Sequence, residues 1–147
     1  MKHLSIHALL GLALTASLIT PALAQTRAGQ EVYQSICMAC HETGVAHAPK
    51  VGDVSAWKPL IEEGQHILSA HGYVGVRAMP AKGGDNKLSI EDFSRAVAWM
   101  ARQAGGNWQD PDAAMLKRIR QEAVKRLDAD IHSKQKQKAE LQKQNRG

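Results

Sequence analysis

The sequence of 147 residues predicts an all-α fold, with a helical core domain and a helical C-terminal extension. Apolar residues recur at intervals of three and four in several segments, as they do on the buried face of a helix. No segment alternates apolar and polar residues in the manner of a β-strand. The segments between the predicted helices are long and rich in glycine, which is unusual for so small a domain. We therefore expect helices and long loops arranged around something other than side chains.

The first 24 residues have the pattern of a cleaved secretory signal peptide. A cationic start and an apolar segment of 13 residues from Ala8 to Thr20 are followed by an Ala-Leu-Ala sequence that ends at Ala24. Thirteen helical residues rise only about 20 Å, which is short of the roughly 30 Å hydrocarbon core of a membrane. We expect export to the bacterial periplasm and a mature chain that starts at Gln25.

The first predicted helices lie on either side of a loop. Helical spacing extends over residues 26–40. After a loop punctuated by glycine and proline, Asp53 or Ser55 caps a second helix that continues through Glu63. We place Pro59 in the first turn of this helix, where the missing N–H would have no intrahelical partner.

Two more helices are predicted in the core domain. A short one covers residues 65–71 and ends at Gly72, and residues 72–87 then form an extended loop. The clearest helix follows, with Ser89 as its N-cap and Gly105 at its end. A domain of about 80 residues with so few large apolar side chains is marginally stable by itself, so we expect a bound cofactor at its centre.

Residues 37–41 read Cys-Met-Ala-Cys-His, the C-x-x-C-H signature of c-type haem attachment. Cys37 and Cys40 at a helix end can add to the two vinyl groups of one porphyrin, and His41 then faces the iron. A thioredoxin-like pair would need a βαβ setting, and a structural zinc site would need more ligands than the sequence offers. We expect one haem c, bound covalently through two thioethers, with His41 as an iron ligand.

Met79 is the leading candidate for the second axial ligand. It lies in the glycine-rich loop, 38 residues after His41, and Pro80 fixes the backbone beside it. The alternatives are a methionine that fills a gap in the core, and bis-histidine ligation through His66 or His71. An iron with strong ligands on both faces transfers electrons, whereas an open face permits gas binding or catalysis.

Several motifs between residues 27 and 105 match one family. They are Gly29-x-x-Val32-Tyr33 before C-x-x-C-H, residues 44–53, Ala56-Trp57-Lys58-Pro59, residues 78–84, and Ala98-Trp99-Met100. With these motifs the sequence resembles the class I cytochromes c, and more closely the small bacterial cytochrome c-five group. The resemblance implies a fold wrapped around one covalently bound haem, in which the first and last helices of the domain cross near Gly29 and Trp99.

The resemblance also implies roles for two other residues. The Pro49 carbonyl would accept a hydrogen bond from the His41 ring and so orient this ligand. Trp57 would line the haem pocket near a propionate, with a plain core aromatic as the alternative. Two features depart from the group: the loop after Met79 lacks the extra cysteine pair that its members often carry, and the chain continues for about 40 residues beyond the domain.

The extension carries almost all of the excess positive charge. Residues 106–147 hold ten cations and six anions, whereas residues 25–105 hold eight of each. Apolar residues keep helical spacing through residues 112–131, and the pattern then fades after Lys134. We favour a partly helical, solvated extension whose short apolar stripe packs on the core. The alternative is a helix that docks on a partner or on anionic lipid. Nucleic-acid binding is not expected.

These features divide the chain into a signal peptide (1–24), a haem domain (25–105) and a basic extension (106–147). We expect a soluble periplasmic electron carrier, not an enzyme, with His41 and Met79 as axial ligands and redox proteins as transient partners. Two alternatives stay open. One is a haem subunit docked to a larger redox complex, and the other is a gas-binding or sensor cytochrome with an open or displaceable sixth position.

Overall fold

A computed structural model describes residues 27–146, so the predicted signal peptide lies outside the described residues. The described part of the chain is helical, with one isolated β-bridge and no β-strand, and the predicted all-α class is confirmed. Its α-helices are α1 Gly29–Val32, α2 Met38–His41, α3 Val54–Glu63, α4 Gln65–Val74, α5 Ile90–Gln103 and α6 Ala113–Gln144. A π-helical stretch, Tyr33–Cys37, joins α1 to α2, and 3-10 turns lie at Val45–His47 and Ala81–Gly84.

Helix α1 crosses α5 at Gly29. A Cβ atom on Gly29 would lie 2.3 Å from the Arg95 carbonyl oxygen and 3.0 Å from Trp99 Cβ, so only glycine permits this approach. The ring of Tyr33 packs against Trp99 with a centroid separation of 4.7 Å. The helix crossing that the resemblance implied is therefore present.

Helix α3 begins where the sequence predicted, but Pro59 lies deeper in it. The Asp53 side chain is the N-cap and accepts a hydrogen bond from the Ala56 N–H at 3.1 Å. Because the helix starts at Val54, Pro59 lies in the second turn, and the prediction of a first-turn proline is wrong. Pro59 removes the N–H that would bond the Ser55 carbonyl, and both residues are exposed to solvent, which can supply the missing donor.

Helix α4 passes through Gly72 and ends at Gly75, which has a φ of 95°. The predicted end at Gly72 is wrong for a packing reason. A Cβ on Gly72 would lie 2.9 Å from Cζ of Phe93, so this glycine permits close contact between α4 and α5 inside the core. Gly75, with its left-handed backbone, is the residue that ends the helix.

The main core lies between α3, α5 and the first helical segment, which runs from α1 through the π-helical stretch to α2. Its largest fully buried side chains include those of Phe93, Leu88 and Val32. A second, smaller cluster joins α4 to α6 through Ala70, Ile119 and Ala123. The two clusters place α4 between the core of the domain and the C-terminal helix.

Helix α6 is continuous to Gln144 and does not fade after Lys134 as predicted. Its second half is composed mainly of good helix formers such as Lys, Gln, Ala, Glu and Leu, which need no apolar periodicity to remain helical. The favoured interpretation, a stripe that packs on the core, is confirmed for Ile119 and Ala123 but is wrong for Leu127 and Ile131, which are exposed. None of the helices in the described part of the chain is long and apolar enough to cross a membrane.

Candidate functional site

The two cysteines lie where the π-helical stretch continues into α2. Cys37 is buried, Cys40 is partly exposed, and both are free thiols. Burial, with a smaller contribution from the nearby Cys40, raises the pKa of Cys37 to about 11, so this thiol is protonated at neutral pH. Insertions of π-helix are rare and are often found at functional sites.

His41 has one ring nitrogen engaged and the other available. Its Nδ1 lies 2.8 Å from the Pro49 carbonyl oxygen. Because a carbonyl oxygen can only accept, Nδ1 carries the proton and the lone pair of the neutral ring is on Nε2. Nε2 makes no hydrogen bond with any residue in the range 27–146. The ring is thus oriented with Nε2 available, as the imidazole of a metal-ligating histidine must be.

Three contacts hold the loop that orients His41. The His41 carbonyl accepts a hydrogen bond from the Val51 N–H at 2.8 Å. The buried Trp57 donates from Nε1 to the Lys50 carbonyl at 2.8 Å, and its ring centroid is 6.3 Å from that of His41. Pro49 is therefore anchored through the two residues that follow it, Lys50 and Val51. Trp57 lies beside the predicted ligand, while its contact with a propionate stays a prediction.

Met79 lies in a tight loop after α4 and is half-buried against the main core. Met79 and Val76 exchange two backbone hydrogen bonds of 2.9 and 3.1 Å. Arg77, between them, has a φ of 54°, a left-handed conformation that a non-glycine residue adopts only when its surroundings impose it. Met100, by contrast, is fully packed inside the core from α5. Met79 is thus a half-buried methionine with a constrained backbone.

The alternative histidine ligands are engaged elsewhere. His66 contacts Arg118 of α6 at 3.1 Å. His71 lies between Glu63, at 3.3 Å from its Nδ1, and Arg126, which contacts its Nε2. Burial, and then the Arg126 charge, lower the pKa of His71. These contacts favour a structural role for both histidines at the boundary between α4 and α6.

The residues present fit a covalently bound haem. Two thiols one helical turn apart, a buried imidazole with a free Nε2 and a half-buried thioether make up the donor set that haem c requires. A flat apolar group could also cover the half-buried apolar side chains packed against the main core, which include those of Ile36, Val51, Leu60, Ile61, Leu68 and Tyr73. Among the described residues, no group of three or more His, Cys, Asp or Glu side chains could hold a metal ion by itself.

One contact near the site gave no signal in the sequence. The Tyr33 hydroxyl donates to Glu42 at 2.5 Å, across nine residues. Burial, then the hydrogen bond and charge of Glu42, raise the pKa of Tyr33 to about 12. This hydrogen bond joins the two ends of the helical segment that carries the cysteines. The spacing of Tyr33 and Glu42 in the sequence does not predict it.

Comparison with known proteins identifies the family. The family model described as cytochrome c oxidase, cbb3-type, subunit III matches residues 24–100, a little more than half of the chain. Cytochrome c-555 of Chlorobaculum thiosulfatiphilum is 44% identical over 81 residues, which cover 52% of this chain and 94% of that protein. Cytochrome c5 of Azotobacter vinelandii is 39% identical over 77 residues, which cover 51% of this chain and 93% of that protein.

One solved structure also matches about half of this chain, a portion of about the same length as the relatives cover. It is a chain from the crystal structure of an electron transfer complex of nitrite reductase with cytochrome c, and it is 41% identical with a TM-score of 0.51. The match covers 54% of this chain and 99% of that chain. The family model ends at residue 100, so helix α6 lies entirely outside the matched range.

Proposed function

Because the chain belongs to the class I cytochrome c family, we propose that it is an exported electron carrier with His41 and Met79 as its axial haem ligands. Membership makes the chain a monohaem c-type cytochrome that acts in electron transfer and is not an enzyme. The family implies a haem c bound covalently, and Cys37 and Cys40 are the cysteines available to hold it.

The observation that carries this proposal is the fixed orientation of His41. The Pro49 carbonyl keeps the proton on Nδ1 and leaves the lone pair of Nε2 for the iron. The same hydrogen bond makes the imidazole more electron-rich, so it strengthens the ligand as well as positioning it. Trp57 keeps the Pro49 loop in place through the Lys50 carbonyl and limits water near the ring.

Support for Met79 comes from its loop and from the engagement of its competitors. Its backbone is held by the paired hydrogen bonds with Val76, so the side chain is presented from a defined position. His66 and His71 would each have to abandon an arginine contact to reach an iron. A thioether is a soft, neutral ligand, and ligation by His and Met favours a comparatively high reduction potential.

An electron carrier needs a site that changes little when it is oxidised or reduced. When bound, haem c supplies a one-electron couple between ferric and ferrous iron. The residues around His41 are held by backbone hydrogen bonds and by packing, so they need not rearrange. We infer that the physiological partners are redox proteins that dock briefly. The solved complex of a cytochrome c with nitrite reductase supports a partner of this class.

The ligand proposal is tested by absorption spectroscopy of the purified holo-protein. We expect a sulfur-to-iron charge-transfer band in the ferric form and no response of the ferrous form to carbon monoxide. Met79→Ala should remove the band and permit carbon monoxide to bind, because one iron face is then open. The matched control is Met115→Leu, a half-buried methionine on α6, which should change neither property.

The opposite result would overturn the assignment of Met79. A wild-type ferrous form that binds carbon monoxide readily would favour the gas-binding alternative. An unchanged charge-transfer band in Met79→Ala would show that another residue supplies the sulfur. Location is tested separately by mass spectrometry of the protein from the periplasmic fraction, where we expect Gln25 as the first residue.

A further inference from the structure

The second half of α6 extends beyond the rest of the protein. Every residue from 127 to 146 is exposed, and Arg126 is the last residue of the helix that is even partly buried. At 1.5 Å per residue, residues 127–144 extend about 27 Å past this contact. A helix that projects so far presents all its faces to solvent or to a partner.

One face of this projecting helix has a regular pattern. Its positions follow each other at intervals of three and four, as in the contact line of a coiled coil. We call this face the α6 stripe, and it consists of Val124, Leu127, Ile131, Lys134, Lys138 and Leu141. The four apolar members are 57%, 46%, 53% and 61% exposed, so packing within the chain does not account for them.

Charge is distributed unevenly along the α6 stripe. Asp128 and Asp130 flank its apolar end, one on each side of the line from Leu127 to Ile131. Lys134 and Lys138 occupy the stripe itself in the distal part. None of these four charged residues forms an ion pair within the described chain. The helix thus has an apolar segment edged by anions, followed by a segment of unpaired cations.

We propose that the α6 stripe binds the α6 stripe of a second copy of this chain in an antiparallel helix pair. In the register that opposes Val124 with Leu141, Leu127 faces Lys138 and Ile131 faces Lys134 of the other copy. Each residue of the stripe then has a partner. The lysine stems cover the opposite apolar side chains, and their ammonium groups reach the aspartates that flank them.

Charge complementarity along the α6 stripe favours an antiparallel second copy over a parallel one. A parallel pair would place Lys134 against Lys134 and Lys138 against Lys138, with the aspartates of both copies together at the other end. An anionic membrane would attract the lysines but would repel Asp128 and Asp130, which border the most apolar part of the stripe. The pairing goes beyond the electron-carrier function and would join two haem domains in one particle.

The proposal is tested by sedimentation equilibrium of the holo-protein over a range of concentrations. We expect the mass of two chains at high concentration, and weaker association as sodium chloride is raised, because the charges are exposed. The double variants Asp128→Lys/Asp130→Lys and Lys134→Glu/Lys138→Glu should each raise the dissociation constant by about tenfold or more. In each double variant, the two ends of the stripe carry the same charge, so the two copies repel each other at both ends of the symmetric pair.

Mixing the two double variants provides the sharper experiment. One has a cationic stripe and the other an anionic stripe, so an equimolar mixture should regain the mass of two chains although each variant alone does not. The matched control Lys136→Glu/Lys143→Glu reverses the same number of charges on the other side of α6 and should still associate. Far-UV circular dichroism and the haem spectrum verify folding of every variant.

Two results would overturn the pairing. The first is a wild-type mass of one chain at every concentration, and the second is equal association of the stripe variants and the control. Vesicles of phosphatidylglycerol distinguish the membrane alternative. A single-chain protein that sediments with these vesicles through Lys134 and Lys138 would assign the stripe to a lipid surface instead.

Discussion

The segment of residues 27–105 and helix α6 are both helical, but different forces hold them. In the first segment, close contacts between particular residues fix the shape, as at Gly29 against Arg95. In α6 only Ile119 and Ala123 are buried along a helix of 32 residues. The first segment depends on its packing throughout, whereas α6 packs against α4 only along its first half and depends on helix propensity in its second half.

The contact between α6 and the domain also includes polar pairs beside its apolar cluster. Arg118 meets His66 and Arg126 meets His71, both on α4. On this side, burial and then the Arg126 charge lower the pKa of His71, whereas His41 in the haem domain is held by the Pro49 carbonyl. The difference implies that changes in one region leave the other intact, and the following substitutions test this independence.

The largest effect is expected at the crossing of α1 and α5. Gly29→Val should destabilise the protein by about 3–5 kcal/mol, because the new side chain meets the Arg95 carbonyl and cannot be relieved by a rotamer change. Chemical denaturation of the holo-protein measures this loss. Gln30→Val, an exposed neighbour on the same helix, is the control and should cost far less. Equal losses in the two variants would contradict a packing role for Gly29.

A smaller loss of stability is expected from a substitution between α4 and α6. Ile119→Ala should cost about 2–3 kcal/mol, because it leaves a cavity in a fully buried site between α4 and α6. Hydrogen exchange should become faster in α6, while the haem spectrum stays unchanged. The exposed Ile131→Ala serves as the control for loss of an isoleucine and should leave exchange in residues 113–120 unaffected. A changed haem spectrum in Ile119→Ala would show that the two regions are coupled.

The sequence predicted the haem-binding segment much better than it predicted α6. Cys37, Cys40 and His41 could be proposed as the haem-binding residues because haem attachment requires fixed residues at fixed spacing. The caps at Asp53 and Ser89 were also predictable, because an N-cap is a local hydrogen bond.

Other features were missed because they depend on distant residues. Gly72 is needed because the Phe93 ring packs against it, and the Tyr33 hydroxyl donates to Glu42. The full length of α6 was missed for another reason, since Lys134 and Lys138 interrupt the apolar periodicity and leave Leu141 isolated in the sequence. Its helicity comes from residue propensities, which are a weak guide unless they are summed over a long window.

Acidification should loosen α6 through His71. Burial and the Arg126 charge lower the pKa of His71, against a weaker opposing effect of Glu63 and Glu122. The folded state then binds fewer protons than the unfolded state, so the stabilisation is present above the ordinary histidine pKa of about 6.5 and is lost as the pH falls below it. The protection factors of the amides in residues 113–126, which correct the exchange rates for their intrinsic pH dependence, should fall as the pH is lowered from 7.5 to 5.

His71→Gln isolates this effect, because it removes the titrating group while keeping a polar side chain. The protection factors of its α6 amides should depend less on pH than those of the wild type. His132→Gln is the matched control, since His132 is exposed on the projecting half of the same helix. A pH response that is identical in all three proteins would assign the loosening to other groups.

The smallest effect is expected at the surface ion pair between Lys143 and Glu140. The two groups are 3.6 Å apart and largely exposed. Glu140→Gln should change the free energy of unfolding by less than about 0.5 kcal/mol. A larger loss, measured by chemical denaturation, would show that the end of α6 contributes to the folded domain, contrary to the exposure of every residue there.

The most direct test of the central claim is the visible absorption spectrum of the holo-protein after removal of residues 112–147. The relatives match over almost their whole length to a stretch of about this size, which indicates that such a domain is sufficient. If the electron-transfer site is complete without α6, the shortened protein keeps the ferric charge-transfer band and the insensitivity of the ferrous form to carbon monoxide. Loss of the band, or carbon monoxide binding by the shortened protein alone, would contradict this account.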